Sequence, residues 1–89
     1  MQKVNKTKQI NFSVLYGVVI KKKKDYLVID YGAGQIKVLL QEIEDASQIE
    51  PNYTVSVSGY LKQGWIKTNL VAQQISIFDK KPHYIKLED

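Results

Sequence analysis

Two stretches of the chain, Phe12–Lys21 and Thr54–Leu61, alternate side-chain type with a period of two. In the first, Phe12, Val14, Tyr16, Val18 and Ile20 interleave with Ser13, Leu15, Gly17, Val19 and Lys21. In the second, Thr54, Ser56, Ser58 and Tyr60 interleave with Val55, Val57, Gly59 and Leu61. That period belongs to strands, whose successive side chains point to opposite faces, and the β-branched content suits a pleated, half-buried surface. In a chain of 89 residues, strands of this length leave room for one core, because two would each bury too little surface to offset chain entropy. Gly17, at the centre of the first strand, permits the bend or bulge needed for one strand to serve two edges of a small barrel.

Between and after these runs the pattern continues. Tyr26–Tyr31 reads as a second strand ending at the turn Gly32-Ala33-Gly34, and Gln35–Gln41 as a third, with Ile36, Val38 and Leu40 on one face. The segment from Glu42 to Pro51 breaks the β pattern, and its acids and the spacing of Ile43 and Ala46 predict a short helix or turn before the proline. Lys62-Gln63-Gly64 closes a hairpin into a last extended region, Trp65–Phe78, with Leu70, Ala72, Ile75 and Ile77 as core candidates and a bulge at Gln73-Gln74. Residues 1–11 read as a basic arm, 12–78 as the barrel, and 79–89 as a tail that either docks or engages a partner.

Composition narrows the function classes. Without cysteine there is neither a disulfide framework nor a thiolate zinc site. The polar, basic N-terminus lacks a signal-type apolar run, so the expected location is cytoplasmic. The net charge of +4 favours polyanionic partners. All 13 basic residues are lysine, which meets phosphate as a flexible point charge, whereas base-specific reading of duplexes favours the arginine fork. Charge is also segregated. Met1 to Lys24 holds seven lysines and no acid, while Glu42 to Glu50 holds four acids and no base, predicting a basic and an acidic side.

A three-strand meander, a short helical connection and a further hairpin are similar to the order of the oligonucleotide/oligosaccharide-binding (OB) fold. Val14-Leu15-Tyr16-Gly17-Val18-Val19 resembles its glycine-bearing first strand. Val55-Ser56-Val57-Ser58-Gly59-Tyr60-Leu61, with Leu70-Val71-Ala72-Gln73-Gln74-Ile75, resembles the fourth and closing strands of nucleic-acid-binding members, including single-stranded-DNA-binding proteins. The resemblance spans residues 12–78 and implies an all-β, five-stranded OB-type barrel with a short helix between strands 3 and 4. The competing architecture is a five-stranded barrel of the Src-homology or chromatin-protein type, which has no helix there.

In the OB family the loops joining strands 1–2 and 4–5 flank the ligand groove. Here they carry Lys21-Lys22-Lys23-Lys24 and Lys62-Gln63-Gly64-Trp65. Tyr26, Lys37, Tyr60 and Lys67 extend the groove if they face outward. Ammonium groups replace counterions on phosphate and rings stack unpaired bases, the two requirements of single-strand binding. Each feature also has a plain structural reading: lysines at a hairpin tip protect a sheet edge, Trp65 can plug the barrel, and a single tyrosine can simply pack.

Catalytic signals are sparse. His83, the sole histidine, has no acid at metal-ligand spacing, and Gly32-Ala33-Gly34 precedes neither Lys-Ser/Thr nor a helix, unlike a phosphate loop. Glu42, Glu44 and Asp45 suit a cap or a solvated face better than a cation site. No enzyme activity, metal or cofactor is expected. The leading expectation is a module for single-stranded DNA or RNA, acting as a homo-oligomer or as an accessory to a polymerase, primase or helicase. The alternatives are a docking subunit of a larger nucleic-acid enzyme and a small RNA-binding protein of translation.

Overall fold

A computed structural model describes residues 12–64 and 66–84. Five strands, β1 (Phe12–Lys22), β2 (Tyr26–Asp30), β3 (Gln35–Leu39), β4 (Thr54–Gln63) and β5 (Thr68–Asp79), form a closed barrel in the order β1-β2-β3-β5-β4. Neighbours are antiparallel except β3 and β5, which run parallel with Val38 opposite Leu70. Closure comes from β1, which pairs with β4 from Phe12 to Val18 and with β2 from Val18 to Lys22.

One strand can serve two edges because of what happens around Gly17. A Cβ there would run into the carbonyl oxygen of Asp30 and lie 2.7 Å from Ile29 Cγ2, so only glycine lets β1 cross so near the end of β2. The extra residue itself falls three positions later, at Ile20, between Val19 opposite Ile29 and Lys21 opposite Val28. In β5 the expected bulge is at Gln73, since Ser58 faces Gln74 and Gly59 faces Ala72.

The interior is filled by alternate residues. Val19, Leu27, Ile29, Val38, Val55, Val57, Leu70 and Ala72 are fully buried, each of the larger ones contributing about 1.5–3 kcal/mol relative to exposure. Ile36, Ile75 and Ile77 pack against this cluster.

The helix expected in 42–51 does not form: no helix is present among the described residues, and the segment is a chain of turns. Ile43 N donates to Leu40 O, Ile49 N to Ala46 O and Tyr53 N to Glu50 O, each spanning three residues. Local groups outcompete helical bonding. Asp45 Oδ1 accepts from Ser47 N at 2.9 Å, and Pro51 with Asn52 at φ 78° makes a tight turn. The turns nonetheless perform a helix's task, sealing one barrel end with Ile43, Ala46, Ile49 and Tyr53.

The C-terminal segment docks as far as Tyr84. Buried Thr54 donates its hydroxyl to Lys81 O at 2.7 Å and accepts from His83 N at 3.0 Å, so the chain is strapped across the outer side of β4. The arm 1–11 and residues 85–89 lie outside the described residues.

Candidate nucleic-acid interface

Leu27 and Ile29 on β2 and Val38 on β3 point into the barrel, so strand alternation turns Tyr26 and Val28, with Lys37, to the outside. Register lines them up: Lys21 lies opposite Val28, and Val28 opposite Lys37. Lys37 Nζ sits 4.3 Å from the centroid of the Tyr26 ring, a cation–π distance.

Beside this row, β5 begins and the β4–β5 loop projects. Val28, Gln35, Lys37, Ile66, Lys67 and Asn69 are among the residues lining an open groove of about 510 Å³. Gly64 N donates to Lys67 O at 2.8 Å, which folds the loop back on itself. Ile66 is 82% exposed at the groove's lip. The β1–β2 loop meets the opposite end of β3: Tyr26, just after it, pairs with Leu39, whereas Thr68 precedes by two residues the Leu70 that pairs with Val38. The two loops therefore flank the outer face of β2–β3 lengthwise.

The anticipated residues divide. Lys21, Tyr26, Lys37 and Lys67 come together on this face, with exposed Lys23 and Lys24 in the adjoining loop. Lys62 stands opposite Asn69, at the groove's edge. Lys22 is half-buried and donates from Nζ to Ala46 O at 3.0 Å, tying β1 to the end plug. Tyr60 belongs to another wall, because β4 is separated from β2 and β3 by β1 on one side and β5 on the other. Its hydroxyl donates to Glu42 Oε2 at 2.8 Å, while Gln73 Nε2 donates to Glu42 Oε1 at 3.1 Å. These bonds hold the Glu42 carboxyl below its usual pKa, and the carboxylate in turn raises that of Tyr60. Trp65 lies outside the described residues.

The two charge clusters meet instead of lying on opposite sides. Leu40 N donates to Asp25 O, and Lys22 reaches the acidic segment at Ala46. Asp45 is held below its usual pKa chiefly by the Ser47 hydrogen bonds, with a small contribution from Lys22.

Sequence reasoning did not single out Val28, Ile66, Gln35 and Asn69. Val28 was within reach, since an apolar residue between two core residues of one strand must face outward. Among the described residues, no group of three or more His, Asp or Glu side chains is placed to hold a metal ion.

No family model matches the chain, and no curated protein matches it. Solved structures do. One is the hypothetical protein ygiW from E. coli, with a TM-score of 0.65, 20% identity, and coverage of 78% of this chain and 76% of that one. At that identity the likeness is one of fold, and it places this chain among five-stranded, OB-like mixed β-barrels.

Proposed function

We propose that the chain binds single-stranded nucleic acid, DNA in the first instance, across the outer face of β2–β3. The observation that supports this most is the Lys37 ammonium over the Tyr26 ring, set between Lys21 and the Lys67-bearing wall of the groove. This pair has the two chemistries a single strand needs. A phosphate draws Lys37 away from the ring, and the ring face so released stacks a base, for about 1–3 kcal/mol. Lys21, Lys23, Lys24 and Lys67 supply further phosphate contacts, while Val28 and Ile66 offer apolar surface to a second base. One tyrosine and a few lysines give micromolar or weaker binding, suited to an accessory of a polymerase, primase or helicase.

The test is a fluorescence-anisotropy titration with labelled single-stranded DNA, single-stranded RNA and duplex DNA at two salt concentrations. Single strands are expected to bind better than duplex, with affinity falling as salt rises. Absence of binding at about 100 µM, far above the micromolar range expected, overturns the proposal.

A second reading, a docking subunit, draws on a different surface. The outer face of β1 and β4 carries Phe12, Val14 and Tyr16 beside Ser56 and Ser58, with Phe78 edge-on to Tyr16 at 5.2 Å. Phe12, Val14 and Phe78 are each more than half exposed. Sedimentation of the chain alone tells whether this apolar face seats a second copy.

A further inference from the structure

The strap that crosses β4 builds a second cleft. Pro82 follows Lys81, and the Thr54 clamp fixes the chain at Lys81 and His83, so that Tyr84 comes over the bend of β1. Tyr16 from β1, Tyr31 from the β2–β3 turn and Tyr84 from the strap line this cleft together with Asp30, over a floor of Gly17 and Val18. The cleft's volume is about 130 Å³, the share of about four water molecules. A drug-sized ligand or cofactor needs about 300 Å³ or more, so the cleft takes a headgroup.

Charge selects which headgroup. Among the described lining residues Asp30 is the one carboxylate and none is lysine, in a chain with 13 of them. The Asp30 side chain is anchored by accepting from Gly32 N at 3.0 Å. His83, the other polar lining side chain besides the tyrosines, is turned to a carboxylate outside the cleft, its Nε2 lying 2.6 Å from Asp79 Oδ2. Three tyrosines and a carboxylate around a small cleft match the chemistry that receives an alkylated ammonium, by cation–π attraction and charge. A nucleotide is disfavoured there, since its phosphate would approach Asp30.

We infer that Tyr16, Tyr31, Tyr84 and Asp30 form an aromatic cage for a quaternary or methylated ammonium headgroup, carried by a small molecule such as choline or by a trimethylated lysine. The inference does not rest on single-strand binding, although its Asp30 stands on β2 opposite Gln35, at the edge of that groove.

The experiment uses the full chain and ¹H–¹⁵N correlation spectra, titrated with tetramethylammonium, choline, and choline's neutral isostere 3,3-dimethylbutanol. The cations are expected to shift the amides of Tyr31, Gly32 and His83 and to bind about tenfold more tightly than the isostere. Tyr31→Leu, which keeps apolar bulk, and Asp30→Asn should each weaken cation binding several-fold while leaving the rest of the spectrum in place. Equal affinity for the isostere, no shift at these amides, or tighter binding of a nucleoside monophosphate at these same amides overturns the cage. Between sources, a trimethyl-lysine peptide that binds more tightly than choline points to a protein ligand, and one that binds no more tightly points to a small molecule.

Discussion

The outer face of β2–β3 and the outer face of β1–β4 are built on the same alternation over the same core, yet they carry opposite chemistry. On the first, Lys21, Tyr26 and Lys37 stand around Val28. On the second, Phe12, Val14 and Tyr16 face Tyr60, Ser58 and Ser56, with no charged residue among them. Burial fixes only every other residue of a strand, so the outward set is open to specialise wall by wall. In a chain with 13 lysines, a wall without them is as informative as a basic one: the lysines of β1–β3 are not a uniform solubilising coat.

Both faces rest on one barrel, and the largest effect is expected where its β4–β5 pairing is broken. A Cβ at Gly59 would collide with the Val71 carbonyl oxygen and lie 3.0 Å from the Ala72 Cα. Backbone cannot yield as a flexible side chain does, so Gly59→Val should cost about 3 kcal/mol or more in chemical denaturation, and both faces should lose definition together. Unchanged stability would show that β4 and β5 are not paired in this register.

A smaller effect separates the walls. Replacing Lys21, Lys37 and Lys67 together by alanine should flatten the dependence of log affinity on log salt by about 2 units, given about 0.7 per phosphate contact on a single strand. Lys22→Ala makes the control, because its ammonium serves the Ala46 carbonyl. It should leave the salt slope alone and cost about 1 kcal/mol of stability. If Lys22 moves the slope as much as the other three, the division of the lysine run into binding and structural members fails.

The smallest effect concerns pH, on the wall without lysines. The Tyr60 and Gln73 hydrogen bonds hold the Glu42 carboxyl below its usual value of 4.5. Its contribution to stability is therefore fully present above about that pH and is lost as pH falls through the lower folded value. Tyr60, raised above 10.0 by the same bond, contributes below that pH and loses its contribution as pH rises through the folded value. Glu42→Gln should shallow the acid limb of the stability curve, measured by denaturation at several pH values. Identical acid limbs would mean that the Glu42–Tyr60 contact is absent in solution.

Much of the barrel was legible because its signals are local. Strand limits, the glycine turn at 32–34 and the phase change at Gln73 follow from alternation and from turn-forming residues. The helix was misread because acids and an Ile43/Ala46 spacing fit a turn chain as well as a helix, and the bond from Ser47 N to Asp45 decided for turns. Lys22 and Tyr60 carry the same chemistry as the groove residues, and what removes them is long-range: Lys22 meets a carbonyl 24 positions away, and Tyr60 a carboxylate 18 positions away. Alternation could assign two faces to each strand but could not say which walls the closed barrel makes adjacent, so Tyr60 was placed with Tyr26.

The most direct test of the central claim maps a short single-stranded oligonucleotide onto the folded chain by ¹H–¹⁵N chemical-shift perturbation. The account predicts shifts concentrated at Lys21, Tyr26, Val28, Lys37, Lys67 and Asn69, with Val14, Ser56, Ser58 and Ser76 unmoved. Shifts centred on β1 and β4 instead, or none at saturating oligonucleotide, would contradict it.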